Sequence, residues 1–290
     1  MKRLPGILKI FTGLAVDFTV IFLLTDNLTV ASIITGLITL YVWLGGYIAL
    51  LREGAISLKK LPAYTASRLE MPKTQLITDV KADSGINLSN LKLFLIPGDS
   101  DLNAAAYGAG CVSVTQGTLN NADPITLTAV LTHEASHLIH LDPEFNRLVF
   151  ASVTLIMASL SLLSAAVAIA IFLIFLILNC FHSWIGVLAF QGTTRVSKGF
   201  FSILQRCVVA VYRAAIGIVS RQAEYRCDRY SFKLGYGTQL AHFLSIAEPT
   251  EPRALTLTDV IYRSHPPIHK RLAQLEKQSC AKNKDLTKSS

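Results

Sequence analysis

Apolar and polar positions divide the chain into alternating blocks. Ile7 to Leu24 is apolar apart from Lys9 near its start and Asp17 in its middle, and Leu28 to Leu51 carries no charged residue. Each run is long enough to cross a hydrocarbon core of about 30 Å. The short turn at Asp26-Asn27 between them predicts a transmembrane hairpin over residues 1–52. A cleaved leader is the rival reading of the first run, but no small-residue cleavage site precedes Asp26, and the second apolar run follows at once. Asp17 is costly in lipid and is expected to face other helices.

A third uncharged stretch, Leu148 to Phe190, corresponds to about 64 Å of helix at 1.5 Å per residue, enough for two crossings. It predicts a second hydrophobic hairpin over 148–198. The competing layout has one span to about Asn179, a loop carrying Arg195 and Lys198, and a return helix from Gly199 to Val219. In that helix Ser202, Arg206, Arg213 and Ser220 form a polar stripe suited to the membrane interface. Both layouts cross an even number of times, so residues 199–280 return to the side of residues 53–147.

The blocks between the apolar runs carry mixed patterns. Lys73 to Ser84 is helical in its spacing, LKLFLI (Leu91 to Ile96) alternates as a strand up to Pro97-Gly98, and DLNAAAYG and GCVSVT (Asp101 to Gly108, Gly110 to Thr115) read as short strands around a glycine turn. Asp123-Pro124 is a helix cap followed by proline at the first helical position. Ile125, Leu127, Val130, Leu131, Leu138 and Ile139 then give the helix apolar surface, and Asp142-Pro143 ends it. Further helices are expected over Ser220 to Tyr230, Thr238 to Glu248 and Ile268 to Gln278, with a rigid turn at Ser264-His265-Pro266-Pro267 and a mobile polar tail over 281–290. The fold class that follows is a mainly α integral membrane protein with a small β-sheet, the part outside the membrane split by hydrophobic helices into 53–147 and 199–280.

Composition sharpens this. The 290 residues are 51% hydrophobic and only 16% charged, with a net charge of +8. The basic residues are scattered over loops and tail, with no finger or RNA-binding signature, so positive charge flanking membrane spans accounts for the balance and nucleic acid is not expected as a partner. Lys2, Arg3 and Lys9 precede the first hairpin and Arg52, Lys59 and Lys60 follow it, which places both its ends, and the segment after it, on the cytoplasmic side. Five cysteines, odd in number and without C-x-x-C spacing, imply no disulfide framework.

The candidate chemistry lies in LTHEASHLIHLD, Leu131 to Asp142, where His133, Glu134 and His137 form H-E-x-x-H. Four residues on a helix turn about 400°, so the two imidazoles share one face a single turn apart and can grip one ion. Glu134, about 100° round from His133, is placed to take a proton from an activated water. His140 sits one turn further on, too far along a straight helix for the same ion. Position 140 is not glycine and position 143 not histidine, which excludes the metzincin pattern. A hydrolytic site needs a third protein ligand and an open position for water. Downstream, SRQAEYRCDRY places Glu224 and Asp228 one turn apart, and Glu224 is the candidate ligand, with Asp228 orienting a ligating histidine. Ion pairing with Arg221 and Arg229 is the alternative role for this pair. Glu144, Glu248, Glu251 and Glu276 compete less well, being near prolines or on a basic surface helix. His265 reads either as an exposed loop residue or as a donor to a developing oxyanion.

Taken as a set, NAAAYG, VSVTQGTL, LTHEASHLIHLD, SRQAEYRCD and SHPPIHKRL, in that order from Leu91 to Leu275, resemble the HtpX-like membrane zinc metallopeptidases, relatives of the type I CAAX prenyl proteases. The resemblance implies a gluzincin-type domain with one zinc ion per chain, held by His133, His137 and Glu224. It makes Glu134 the base, Asp228 a support, Asn103 a holder of the substrate strand and His265 a neighbour of the transition state. It further implies protein or peptide substrates from the membrane, a multi-pass location in a bacterial cytoplasmic membrane with the active site cytoplasmic, and a part in protein quality control. Ala105 stands where the family usually has Phe, and Cys227 replaces the small residue before Asp228; packing or oxidation sensitivity are the roles open to that thiol. A prenyl-peptide protease, or a non-catalytic membrane scaffold with an incidental H-E-x-x-H, are the alternatives.

Overall fold

A computed structural model describes residues 4–179, 183–247 and 266–289. Helix α1 (Leu4–Thr25) and helix α2 (Leu28–Arg52) form the expected N-terminal hairpin. The turn is made by Asp26 at a positive φ of 48° and by Asn27, whose side chain caps α2 by accepting from Val30 N–H at 3.0 Å. Asp17, the costly charge of α1, is buried against protein, as its expense in lipid requires.

Next come strand β1 (Ile56–Ser57), helix α3 (Ala63–Ser84), and strands β2 (Lys92–Ile96), β3 (Ala104–Gly108) and β4 (Cys111–Thr115). The sheet order is β1-β2-β4-β3, with β2 and β4 parallel and the other pairs antiparallel. Alternation along the strands decides the two faces. Leu93 and Leu95 of β2 and Val112 and Val114 of β4 pack on one side with Leu69, Leu76 and Val80 of α3. Phe94 and Cys111 point the other way, to Leu50 of α2. The sheet is therefore covered on both faces, and β3 is one of its edges.

Close approach of α2 to β3 depends on one glycine. A Cβ at Gly46 would collide with the Tyr107 carbonyl of β3, and the rigid backbone cannot yield. Gly46→Ala is expected to destabilise the protein by about 1–3 kcal/mol, the usual cost of overpacking. Thermal unfolding in detergent measures it, and an unchanged midpoint would show that α2 can retreat freely. The same junction is tied by Arg147, whose Nε donates to Val42 O at 2.8 Å and whose Nη1 donates to Tyr107 O at 2.9 Å.

Helix α4 (Gln116–Asn121) leads into α5 (Pro124–His140), which carries H-E-x-x-H. Asp123 caps α5, accepting from Thr126 N–H at 2.6 Å. Leu127, Leu131, Ala135 and Leu138 bury its apolar side in the core formed with α3 and the sheet. Leu141, left-handed at φ 57°, ends α5, and its N–H reaches back to the carbonyls of the last turn.

Helix α6 (Asp142–Asn179) and helix α7 (Ser183–Lys233) differ from the sequence expectation. The uncharged stretch from Leu148 is not two short spans: α6 runs 38 residues without interruption to Asn179, and α7 begins only at Ser183. No proline or glycine occurs between Leu148 and Asn179, so nothing favours a turn in the middle of α6. The competing layout has the right upstream limit, near Asn179, but its loop at Arg195 to Lys198 is absent, since α7 is helical straight through residues 195–199. The expected boundary at 198/199 thus lies inside a helix. Residues 149–216 cluster as a unit of their own. Within it Phe175 and Phe190 approach to 4.8 Å between ring centroids, and Gln205 Nε2 donates to Ser161 Oγ at 3.0 Å.

Helices α8 (Gly237–Ala247) and α9 (Ile268–Ser289) complete the described chain. Leu240 and Leu244 of α8 and Leu275 of α9 pack on Ala129 of α5. Among the described residues four helical segments are long and apolar enough to cross a membrane: Leu4–Thr25, Leu28–Arg52, Asp142–Ile177 and Phe190–Lys233. The protein is a mainly α integral membrane protein with a small mixed sheet.

Candidate metal centre

The rings of His133 and His137 lie 5.1 Å apart between centroids on the buried face of α5. Their Nε2 atoms both turn to the carboxylate of Glu224 on α7, at 3.3 Å from Oε2 for His133 and 3.5 Å from Oε1 for His137. The outer nitrogens face two further carboxylates. His133 Nδ1 is 3.0 Å from Asp228 Oδ1, and His137 Nδ1 is 2.9 Å from Asp142 Oδ2. A carboxylate beside Nδ1 favours the tautomer protonated there, which leaves the Nε2 lone pair free to bind an ion. Two imidazole nitrogens and a carboxylate are the donor types with which an H-E-x-x-H hydrolase would hold a metal ion.

Arg271 of α9 holds the carboxylates in turn. Its Nε and Nη2 donate to Asp228 Oδ2 and Oδ1 at 2.8 and 2.6 Å, and its Nη1 lies 3.1 Å from Glu224 Oε2. Arg226, midway between Glu224 and Asp228 on α7, pairs with Asp142. Sequence reasoning gave neither arginine a role, and it read Asp142 only as part of a helix stop. The local signal for Arg271 was a basic residue on an amphipathic helix, and its partners lie more than forty positions upstream.

The charges have a clear electrostatic sign. Burial works against a charged His133, yet Asp228 and Glu224 push its pKa up to about 10. His137 is likewise raised well above its ordinary value against burial, by Cys227, Asp142 and Glu224. Burial pushes the Glu134 carboxyl up, opposed by the two histidines and the Ala106 backbone. Arg271 is raised despite burial because Asp228 and Glu224 stabilise its charge. Imidazoles with so strong a pull toward positive charge, ringed by carboxylates, fit a cation.

Asp142→Asn tests the support of His137. The amide cannot accept the Nδ1–H as a carboxylate does, and loss of such a support typically costs 10–100-fold in metal affinity. Competition with a chelator measures it, and equal retention of metal by the variant and the wild type would remove Asp142 from the site.

Glu134, His137 and Glu224 open onto a cleft of about 480 Å³, whose wall includes Asn103, Ala104, Ala105 and Ala106 of the β3 edge. The Asn103 main chain is pinned from behind: its N–H donates to Thr115 Oγ1 at 3.2 Å, and its carbonyl accepts from Thr118 Oγ1 at 2.9 Å. Glu144, a rival third ligand, is turned away and accepts from Ala109 N–H at 2.6 Å. His140 bonds Ser136 O through Nδ1 at 2.8 Å. His265 lies outside the described residues. Cys227 is fully buried, and it joins His133 and His137 in a group whose donor atoms lie within 4.8 Å of one another.

An H-E-x-x-H helix facing a carboxylate from a second helix, in a chain whose described residues include four apolar helical segments of spanning length, is the arrangement of a membrane metallopeptidase site. Residues 72–279 match the model of peptidase family M48, and the chain belongs to that family. No curated protein matches it. Its fold is similar to the crystal structure of S. mikatae Ste24p, with a TM-score of 0.51 and 19% sequence identity over 90% of this chain and 62% of that one. The chain thus spans less than two thirds of that protein's length.

Proposed function

We propose that this metallopeptidase is a zinc-dependent endopeptidase that cleaves membrane or membrane-associated proteins at the cytoplasmic face of a bacterial inner membrane. The observation that carries the reading is the convergence of His133 Nε2, His137 Nε2 and the Glu224 carboxylate beside Glu134, on a cleft walled by a strand edge. A zinc ion held by these three residues supplies Lewis-acid polarisation of the scissile carbonyl and acidifies a water. Glu134 takes the proton of the attacking water and passes it to the leaving amine nitrogen. The β3 edge pairs main chain to main chain with an extended peptide, which makes cleavage tolerant of sequence, and the Asn103 side chain steadies that peptide at the cleft wall. Asp228 and Asp142 keep the two imidazoles in register. The basic residues flanking the α1-α2 hairpin support the cytoplasmic placement.

Protein purified in detergent is expected to contain one zinc ion per chain and to cut a membrane-protein test substrate, and His137→Ala is expected to lose both. Full zinc retention in the variant overturns the ligand assignment. Selective cleavage of a prenylated C-terminal peptide, with no cut in the membrane-protein substrate, replaces the endopeptidase reading by a prenyl-peptide one.

A further inference from the structure

Lys9 is a charge near the start of an apolar helix, and the fold brings it to the cleft. Helix α1 meets the corner between α5 and α6, where a Cβ at Gly6 would strike the His140 carbonyl. Lys9 follows Gly6 by three positions, on nearly the same helix face. It lines the same cleft of about 480 Å³ as Glu134, His137 and the Asn103 end of β3. Its ammonium lies 5.9 Å from the centroid of the Phe145 ring, which also belongs to the cleft wall. A ring face steadies a cation without neutralising it, and among the described residues no carboxylate pairs with Lys9.

The neighbouring charges are engaged elsewhere. Asp142 holds Arg226 and His137, and Glu224 faces the two imidazoles and Arg271. His140 is kept below its ordinary pKa by burial first, with Arg226 and Lys9 adding to it against Ser136 and Asp142, so it carries no charge near neutral pH. Lys9 is the cation of the cleft wall that still has its charge to offer.

We propose that Lys9 is a specificity-determining residue, which pairs with an acidic side chain, Asp or Glu, of the polypeptide held in the cleft. This rests on the endopeptidase reading of the cleft and deepens it by naming a substrate preference. The β3 edge supplies main-chain pairing that is indifferent to sequence, and the ammonium adds a demand for charge of one sign. Because the side chain is already held over Phe145, pairing costs it little further freedom. Lys9 is exposed at the cleft wall, so the pair is screened and selects by about two- to fivefold rather than by orders of magnitude.

The test uses the zinc-loaded full-length protein in detergent and a membrane-protein substrate whose internal cut has been mapped. A single Glu is moved through the positions on either side of the cut, and each Glu substrate competes with its Gln counterpart in one reaction. The wild type is expected to favour Glu at one position by about two- to fivefold in kcat/KM, with the ratio shrinking as salt is raised. Lys9→Gln is expected to abolish the preference, and Lys9→Glu to invert it, favouring Lys over Gln at that position. Each ratio compares two substrates on one preparation, so a variant that folds only in part still yields it, and a purely structural lysine would leave it unmoved. Equal cleavage of Glu and Gln substrates at every position by the wild type, or a preference that survives Lys9→Gln, overturns the proposal and leaves the endopeptidase reading standing. A zinc-loaded wild type that cuts no membrane-protein substrate overturns the endopeptidase reading together with this one.

Discussion

Glu134→Gln is expected to lower kcat/KM for a membrane-protein substrate by about a hundred- to ten-thousandfold, the range that a positioned proton acceptor contributes, with zinc still bound at one per chain. The amide has the shape of the carboxylate and keeps its place in the cleft, but it cannot accept the proton of the attacking water. His133, His137 and Glu224 are untouched by the change, so metal content separates loss of the base from loss of the site. A variant that retains zinc and cleaves at the wild-type rate would show that the base lies elsewhere. Comparing membranes that carry the wild type or this variant also identifies natural substrates, which accumulate when only the variant is present.

The relation of His133, Glu134 and His137 was legible in sequence because H-E-x-x-H is local and the helix period alone sets it. Glu224 was a candidate on a chemical requirement, a third donor from a later helix, and its carboxylate lies beside both imidazoles. The strands of the small sheet were likewise legible, because LKLFLI, NAAAYG and GCVSVT alternate between glycine and proline turns. Asp142 and Arg271 were not. The value of Asp142 lies in the left-handed Leu141, which ends α5 and starts α6 so that its carboxylate folds back on His137. Arg271 acquires its meaning only when α9 packs on α5 beside Ala129, a contact no short window contains. In the uncharged run from Leu148 the place of the helix break was not legible, for a different reason. Hydropathy measures how much chain can enter a membrane but says nothing of where a helix breaks, and only the lack of Pro and Gly argued for the continuous α6 that the structure shows.

Arg271→Ala is the change with the largest expected effect on stability. Asp228 and Glu224 are 2% and 4% exposed, and the Arg271 guanidinium pairs with both. Its removal leaves two carboxylates buried against His133, and breaking a buried pair from one side typically costs about 3–5 kcal/mol. Part of that penalty is offset when a metal ion supplies the missing positive charge. The unfolding midpoint of chelator-treated protein should therefore fall further than that of zinc-loaded protein. Arg271→Lys should recover only part of the loss, since an ammonium cannot make the two-pronged contact to Asp228 while also reaching Glu224. An Arg271→Ala protein whose metal-free midpoint equals that of the wild type would mean that these carboxylates are stabilised by something other than α9, and the role assigned to Arg271 would fall.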